Sequence, residues 1–190
     1  MGNILPYCYL SKRLTFSAIL KTLYEKRKFF VRIIVMSDSH GMSAQVEKII
    51  RANEGADMFI HLGDGEREIA AMRLKYPDID LRNVCGNCDW GSGIPKSIII
   101  EAMGKMIFCA HGHAYRVKDG VEPLVFAAKE NGCCAALFGH THERFIGTEE
   151  GIDLMNPGSC SCPRDGMKPS YGYIDVTENG VFMNIIDVGY

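Results

Sequence analysis

The 190-residue sequence predicts an α/β fold, a four-layer α/β/β/α sandwich of two mixed sheets packed face to face and flanked by helices. Three observations point there. Strand-like apolar runs alternate with helical periodicity through the first half of the chain, strand signals dominate the last third, and Asp and His residues cluster just after the apolar runs. Open, mostly parallel sheets bind their ligands in the crevice beyond the strand carboxyl ends.

Val31 to Met36 is a continuous apolar run, as expected of a central strand buried on both faces. Residues 42–53 place Val46, Ile49 and Ile50 on one helical face. A strand from Asp57 to Leu62 runs into Gly63-Asp64, a helix covers about Glu66 to Lys75, and a third strand from Ile79 to Val84 leads into Gly86-Asn87-Cys88-Asp89. Beyond the connection Trp90-Gly91-Ser92-Gly93, strands at Lys96–Ala102 and Lys105–Ala110 are joined by a tight turn at Met103-Gly104. A helix from Val121 to Asn131 precedes a strand from Cys134 to Phe138. The remainder reads as β: residues 143–148, a Glu150-Gly151 turn, 152–155, the loop Asn156-Pro157-Gly158-Ser159, then 171–176 and 181–188 around Asn179-Gly180.

Residues 1–30 do not match this pattern and read as a basic N-terminal extension, an appendage helix with Leu14, Ala18, Leu20, Leu23 and Tyr24 at roughly helical spacing. Residues 31–190 read as the single domain, large enough to bury its own core. The net charge of -2 hides an asymmetry, because residues 1–30 carry six Lys or Arg and one Glu, which leaves the rest strongly acidic. Such a body is a poor non-specific partner for a nucleic-acid backbone, so no nucleic acid is expected as partner. Eight cysteines occur as an adjacent pair, two close pairs and two singles rather than as a disulfide framework, and no apolar run reaches membrane-spanning length. Reduced thiols, no membrane span and a cytoplasmic location are the expectations. Self-association into a homo-oligomer is compatible with the sequence.

Five of the six histidines fall in Asp-x-His or His-x-His pairs, namely Asp38 with His40, His111 with His113, and His140 with His142. On an extended backbone, residues two apart share a side, whereas in a helix they diverge by about 200°. Gly112 and Gly139 are expected to let the chain turn tightly toward an ion. Taken with Asp64 and Asn87, the set offers carboxylate, imidazole and amide oxygen, a mixture that suits manganese, iron, nickel or zinc better than calcium. One shared carboxylate with three further groups on each side describes two divalent metal ions. The sixth histidine, His61, reads as a strand-end support rather than a ligand.

The ordered series DSHG, HLGD, GNCD, HGH and GHTH, followed by NPGS and SYG, resembles the calcineurin-like metallophosphoesterases, and within them the small YfcE-like phosphodiesterase branch, which is also similar to a retromer scaffold subunit. The resemblance spans residues 31 to about 188. It implies that Asp64 bridges two metals, manganese first among the candidates, with Asp38, His40 and His142 completing one site and Asn87, His111 and His140 the other. It also implies in-line attack of a metal-bridging hydroxide on a small phosphodiester or phosphomonoester substrate. Many relatives carry His directly after the metal-binding Asn, and here Cys88 holds that place. A thiol is a poorer general acid for an alkoxide, which points to leaving groups of low pKa or to another donor. His113 is the candidate donor or phosphate contact, against a role of only orienting His111. Cys85 and Cys88 form a lone Cys-x-x-Cys that lacks the second pair of a zinc ribbon. Cys133-Cys134 reads as core. Cys160 and Cys162 are expected to line the mouth of the site, with Arg164 and Lys168 as local cations. A non-catalytic protein-binding scaffold on the same fold is the alternative reading.

Overall fold

A computed structural model describes residues 29–91 and 93–189, and the expected N-terminal appendage helix lies outside the described residues. In chain order the elements are β1 (Val31–Met36), α1 (Ser43–Ala52), β2 (Met58–His61), α2 (Glu66–Lys75), β3 (Leu81–Asn83), β4 (Ser97–Ala102), β5 (Lys105–Ala110), a single 3-10 turn at His113–Tyr115, α3 (Glu122–Glu130), β6 (Ala135–Leu137), β7 (Arg144–Glu149), β8 (Ile152–Pro157), β9 (Ser170–Thr177) and β10 (Gly180–Asp187).

They form two five-stranded sheets, ordered β10-β9-β1-β2-β3 and β4-β5-β6-β8-β7. Each has a parallel centre, β1-β2-β3 in one and β5-β6-β8 in the other, with antiparallel strands completing it. Strand alternation sorts the apolar side chains into layers. Ile33 and Val35 of β1, Ile60 of β2 and Ile174 of β9 meet Ile107 and Cys109 of β5 and Leu137 of β6 between the sheets. The opposite face of the first sheet, with Ile34, Met36 and Phe59, packs on Val46, Ile49 and Ile50 of α1 and Ile69 and Met72 of α2. The opposite face of the second, with Phe108, Ala136 and Leu154, packs on Leu124, Val125 and Ala128 of α3. The order is helix, sheet, sheet, helix, as the sequence predicts.

The hairpins follow their turn chemistry. Ala102 pairs with Lys105 and Glu149 with Ile152, which leaves the two-residue loops Met103-Gly104 and Glu150-Gly151 with positive φ at both positions. Several boundaries differ by one or two residues from the sequence reading, those of β3, β6 and β7 among them. Asn156 and Pro157 belong to β8 rather than to a loop, and Gly180 already opens β10. Asn156 is held in place because its buried amide serves the neighbouring His140–His142 loop, an interaction that propensity does not reveal.

Candidate metal centre

The loops that follow β1, β2, β3, β5 and β6 carry the Asp38–His40, Asp64, Asn87, His111–His113 and His140–His142 segments to one end of the sandwich. Their backbones are not extended there. Asp38, His40, Asp64, His140 and His142 all have positive φ, between 43° and 71°, and they are five of the eight non-glycine residues with that geometry among the described residues. Such conformations cost free energy and persist where the surroundings over-determine them. The paired residues therefore converge through left-handed loop turns, not through the shared side of a strand. Gly112 has the expected positive φ, 104°. Gly139 does not, and its reason is space, since a Cβ there would overlap the Ser37 hydroxyl and stand 2.8 Å from Asp38 Oδ2.

Six of the side chains singled out from sequence meet directly. His142 Nε2 lies 3.2 Å from Asp38 Oδ1 and 3.1 Å from His40 Nε2. His40 Nε2 is 3.9 Å from both Asp38 Oδ1 and Asp64 Oδ2. His111 Nε2 stands 3.5 Å from Asp64 Oδ2, 3.9 Å from Asp38 Oδ1 and 3.1 Å from Asn87 Oδ1. Donor atoms of Asp38, His40 and His142 lie within 4.8 Å of one another, as do those of Asp38, Asp64 and His111, and those of His40, Asp64 and Cys88. His140 joins through its backbone, whose N–H donates to Asp38 Oδ2 at 3.1 Å, and its ring centroid is 5.1 Å from that of His111. His113 sits behind them at the start of the 3-10 turn, 5.4 Å from the His111 ring, with a buried Nδ1 that has no hydrogen-bond partner.

The supporting contacts set which atoms are free. His111 Nδ1 faces the Leu62 carbonyl at 2.7 Å and His142 Nδ1 faces the Cys162 carbonyl at 2.7 Å. A ring nitrogen facing a carbonyl donates its N–H, so in each neutral ring Nε2 turns a lone pair toward the carboxylates. Leu62, not His113, is thus the group that orients His111. Asp38 Oδ2 accepts from the Ser37 hydroxyl at 2.5 Å, while the fully buried Oδ1 has no hydrogen-bond partner and faces imidazole nitrogens. A buried carboxylate oxygen ringed by lone pairs requires a cation. Among the described residues the ion-pair partners of Asp38 and Asp64 are histidines, with no Lys or Arg. The donor set therefore fits divalent metal, and in a metal-free protein protons on the rings take that part.

The titration behaviour expresses the same demand. Burial works against ionisation of Asp38, but His142, His111 and the Ser37 hydroxyl outweigh it and hold the carboxyl below its usual range. Asp64 is held far below that range, its burial outweighed by His111 and the Cys88 amide. His111 is pushed up, with Asp64 and Asp38 overcoming its burial, and His142 is raised chiefly by its contact with Asp38. Burial, with His111 and Lys118, lowers His140 to about 4. Burial first and Asp64 second push the Cys88 thiol up to about 11.

Several structural residues lie outside the ligand set read from sequence. The Asp89 carboxylate accepts from the backbone N–H groups of Asp64, Gly65, Glu66 and Gly86, between 2.8 and 3.0 Å, and so locks the Asp64 turn to the Asn87 loop. Ser159 Oγ and Ser161 Oγ donate to the Asp38 carbonyl, and Asn156 donates to Gly139 O and Thr141 Oγ1. Asp89, Asn156 and Ser159 fall in the GNCD and NPGS segments, whereas Ser161 lies in no motif. Cys160 is buried in the core against α1 and α2 rather than lining the mouth, whereas Cys162 is exposed. Cys133 is buried as expected and Cys134 half-buried. The seven described cysteines lie outside any disulfide. A recess of about 80 Å³ opens above the cluster, lined by His40, Asp64, Asn87, Cys88, His140 and His142 together with Lys118 and Arg164. Lys118 is the cation that sequence reading missed. Lys168 lies outside that recess, where its carbonyl accepts from Arg144 at 2.5 Å.

Comparison with known proteins gives a family and a fold. The model of the calcineurin-like phosphoesterase superfamily domain matches residues 31–179. The probable metallophosphoesterase YsnB of Bacillus subtilis is 27% identical over 159 residues, 83% of this chain and 91% of that protein. Phosphodiesterase YfcE of Escherichia coli is 28% identical over 170 residues, covering 76% and 88%. The crystal structure of a predicted phosphoesterase from Streptococcus pneumoniae superposes with a TM-score of 0.74 at 30% identity over 84% of this chain and 90% of that one. Vacuolar Protein Sorting 29 from Cryptosporidium parvum, TM-score 0.70 at 18% identity over 84% and 92%, shares the fold. With the domain matched from β1 into the β9–β10 turn, and its converging Asp, Asn and His residues all inside the matched stretch, the chain belongs to the calcineurin-like phosphoesterase superfamily.

Proposed function

We propose that the protein is a metal-dependent phosphoesterase that hydrolyses phosphodiester bonds, and phosphomonoesters less well, at two divalent ions, manganese first and iron, nickel or zinc as substitutes. The observation that carries this reading is the buried, partnerless Asp38 Oδ1 faced by the Nε2 atoms of His142 and His111. Asp38, His40 and His142 would hold one ion, Asn87, His111 and His140 the other, and Asp64 would be shared. When bound, such ions supply the acidity that makes water a nucleophile at neutral pH and the charge that receives the phosphoryl oxygens of an in-line displacement.

The chain's own groups then divide the work. Asp64 would be the shared ligand: its Oδ1 accepts from the Cys88 N–H at 2.7 Å while Oδ2 faces His40 and His111. Lys118 and Arg164 flank the recess and draw an anionic ester toward it. The thiol of Cys88 is a poorer general acid for an alkoxide than an imidazole, so an ester whose leaving group departs unaided is favoured. His113 stands as the donor for more basic leaving groups. The weak acid at position 88 is also what favours the alternative of a scaffold with little turnover. Residues 1–30 are assigned as an appendage outside the catalytic domain, and the site is assigned to a small cytoplasmic ester rather than to nucleic acid. Among the described residues no helix is long and apolar enough to cross a membrane.

The test is metal analysis of the purified protein coupled to turnover of bis(p-nitrophenyl) phosphate and p-nitrophenyl phosphate. Bound metal with faster diester hydrolysis, both lost on treatment with chelator, is the expected result. Stoichiometric metal with no turnover of either ester favours the scaffold.

A further inference from the structure

Beside the metal centre, on the α2 side, lies a cleft of about 330 Å³ lined by His40, Asp64 and Cys88 at its inner end and by Arg67, Asp89 and Trp90 farther out. That volume falls in the range of small-molecule sites. Trp90 is 90% exposed, and it is the chain's single tryptophan. An isolated exposed apolar side chain needs no explanation. Here, however, the indole shares a cleft with the shared carboxylate of the proposed centre, and its attachment is fixed. The preceding Asp89 accepts four backbone N–H groups from the Asp64 and Gly86 turns, and the Cys88 N–H is bound to Asp64 Oδ1. The backbone that carries the indole is therefore anchored beside the proposed centre, and the exposed ring is left free to meet a ligand in the cleft. Arg67, exposed on the first turn of α2, makes no ion pair among the described residues and is the one Lys or Arg lining the cleft, beside Glu66 and beside Glu68, whose carboxylate accepts from the Ser39 hydroxyl and the Gly41 N–H.

We propose that Trp90 is a specificity-determining platform on which a flat aromatic ring of the substrate stacks, so that the preferred phosphodiesters carry a nucleobase-like group on one ester arm, with Arg67 accommodating further negative charge on that arm. The inference rests on the phosphoesterase reading for its chemistry, but the stacking itself does not depend on turnover. Stacking of a base on an aromatic side chain tolerates any base, because every base has a π-face, and it commonly strengthens binding by about tenfold or more.

Because Trp90 is the only tryptophan, its fluorescence reports this one place. The probes are adenosine 5′-monophosphate and ribose 5-phosphate, which differ only by the base. Adenosine 5′-monophosphate is expected to quench the emission of the chelator-treated full-length protein, and ribose 5-phosphate at the same concentration to leave it unchanged. With metal restored, the nucleotide should inhibit bis(p-nitrophenyl) phosphate hydrolysis about tenfold more tightly than the sugar phosphate. Trp90→Ala should collapse that ratio toward one, and Trp90→Phe should keep much of it. Equal quenching by both probes, no quenching by either, or a ratio untouched by Trp90→Ala overturns the platform. If the wild type hydrolyses diesters while those outcomes are seen, the platform fails and the phosphoesterase reading stands. Base-dependent quenching in a protein without turnover separates the two in the opposite sense.

Discussion

The two sides of the metal cradle are built differently. On the inner side, Asp38, His111 and His142 are buried, and each has its outward atom tied down: Asp38 Oδ2 by Ser37 and the His140 N–H, His111 Nδ1 by Leu62 O, His142 Nδ1 by Cys162 O. On the outer side, His40, Asn87 and Cys88 are exposed, and among the described residues the hydrogen bonds of the His40 and Asn87 side chains run to His142, His111 and Cys88, within the cluster itself. The inner side is set before any ion arrives. The outer side can yield to substrate.

Asp64 belongs to both sides, and its removal is expected to have the largest effect. Asp64→Ala should lower turnover of bis(p-nitrophenyl) phosphate by about a thousandfold, since metal-ion catalysis supplies several kcal/mol of transition-state stabilisation. Circular dichroism should be unchanged while bound metal falls. Equal rates for the two proteins would contradict both the bridging role and the division into sides.

Gly139→Ala attacks the inner side alone. The added Cβ would collide with the Ser37 hydroxyl beneath Asp38, where every neighbour is packed, and a loss of about 3 kcal/mol in denaturant unfolding is expected. Gly132→Ala is the control. Unlike Gly139 it has a positive φ, 67°, and it has nothing within 4 Å of the new atom, so only the left-handed penalty of about 1 kcal/mol applies.

These two glycines also show what a sequence can reveal. The strands, their order along the chain and the chemistry at their ends were legible because apolar runs and Asp-x-His or His-x-His spacing are local properties. The reason for Gly139 was not, because it depends on Ser37, which follows β1 of the other sheet and is distant in sequence. The same holds for Asp89, Lys118 and the Leu62 and Cys162 carbonyls, where a backbone oxygen looks alike at every position until the fold brings it against a ring nitrogen. The extended-strand argument for the paired residues does not describe how they meet, since Asp38, His40, His140 and His142 sit in loops with positive φ.

His61 lies under the inner side, fully buried, with Nδ1 accepting from the Gly63 N–H at 3.3 Å and Nε2 without a partner. Burial lowers it from 6.5 to about 4. The unfolded chain therefore takes up this proton before the folded one does, and stability is lost as pH falls from about 6.5 to about 4. The loss should approach ~3 kcal/mol for this one group. Unfolding of metal-free protein across that window checks it. His61→Gln should flatten the curve by that amount, and a wild-type slope that persists in the variant would place the titrating group elsewhere.

The smallest expected difference discriminates most sharply between the two sides. Ser37→Ala removes the hydroxyl that donates to Asp38 Oδ2 and leaves only the His140 N–H to aim the carboxylate. Loss of such a support typically costs ten- to a hundredfold in metal affinity, and about tenfold is expected because one of the two bonds remains. Cys88→Ala, on the outer side, deletes the thiol but keeps the backbone N–H that holds Asp64 Oδ1, since any residue supplies that donor. Its affinity should stay within about threefold of wild type, well short of the loss expected when a support is removed. Competition titration of both variants against a chelating dye measures the contrast. Comparable losses would mean that Cys88 is itself a ligand on the outer side, as its Sγ lies close enough to His40 and Asp64 to be, and that the outer side is less yielding than its exposure suggests.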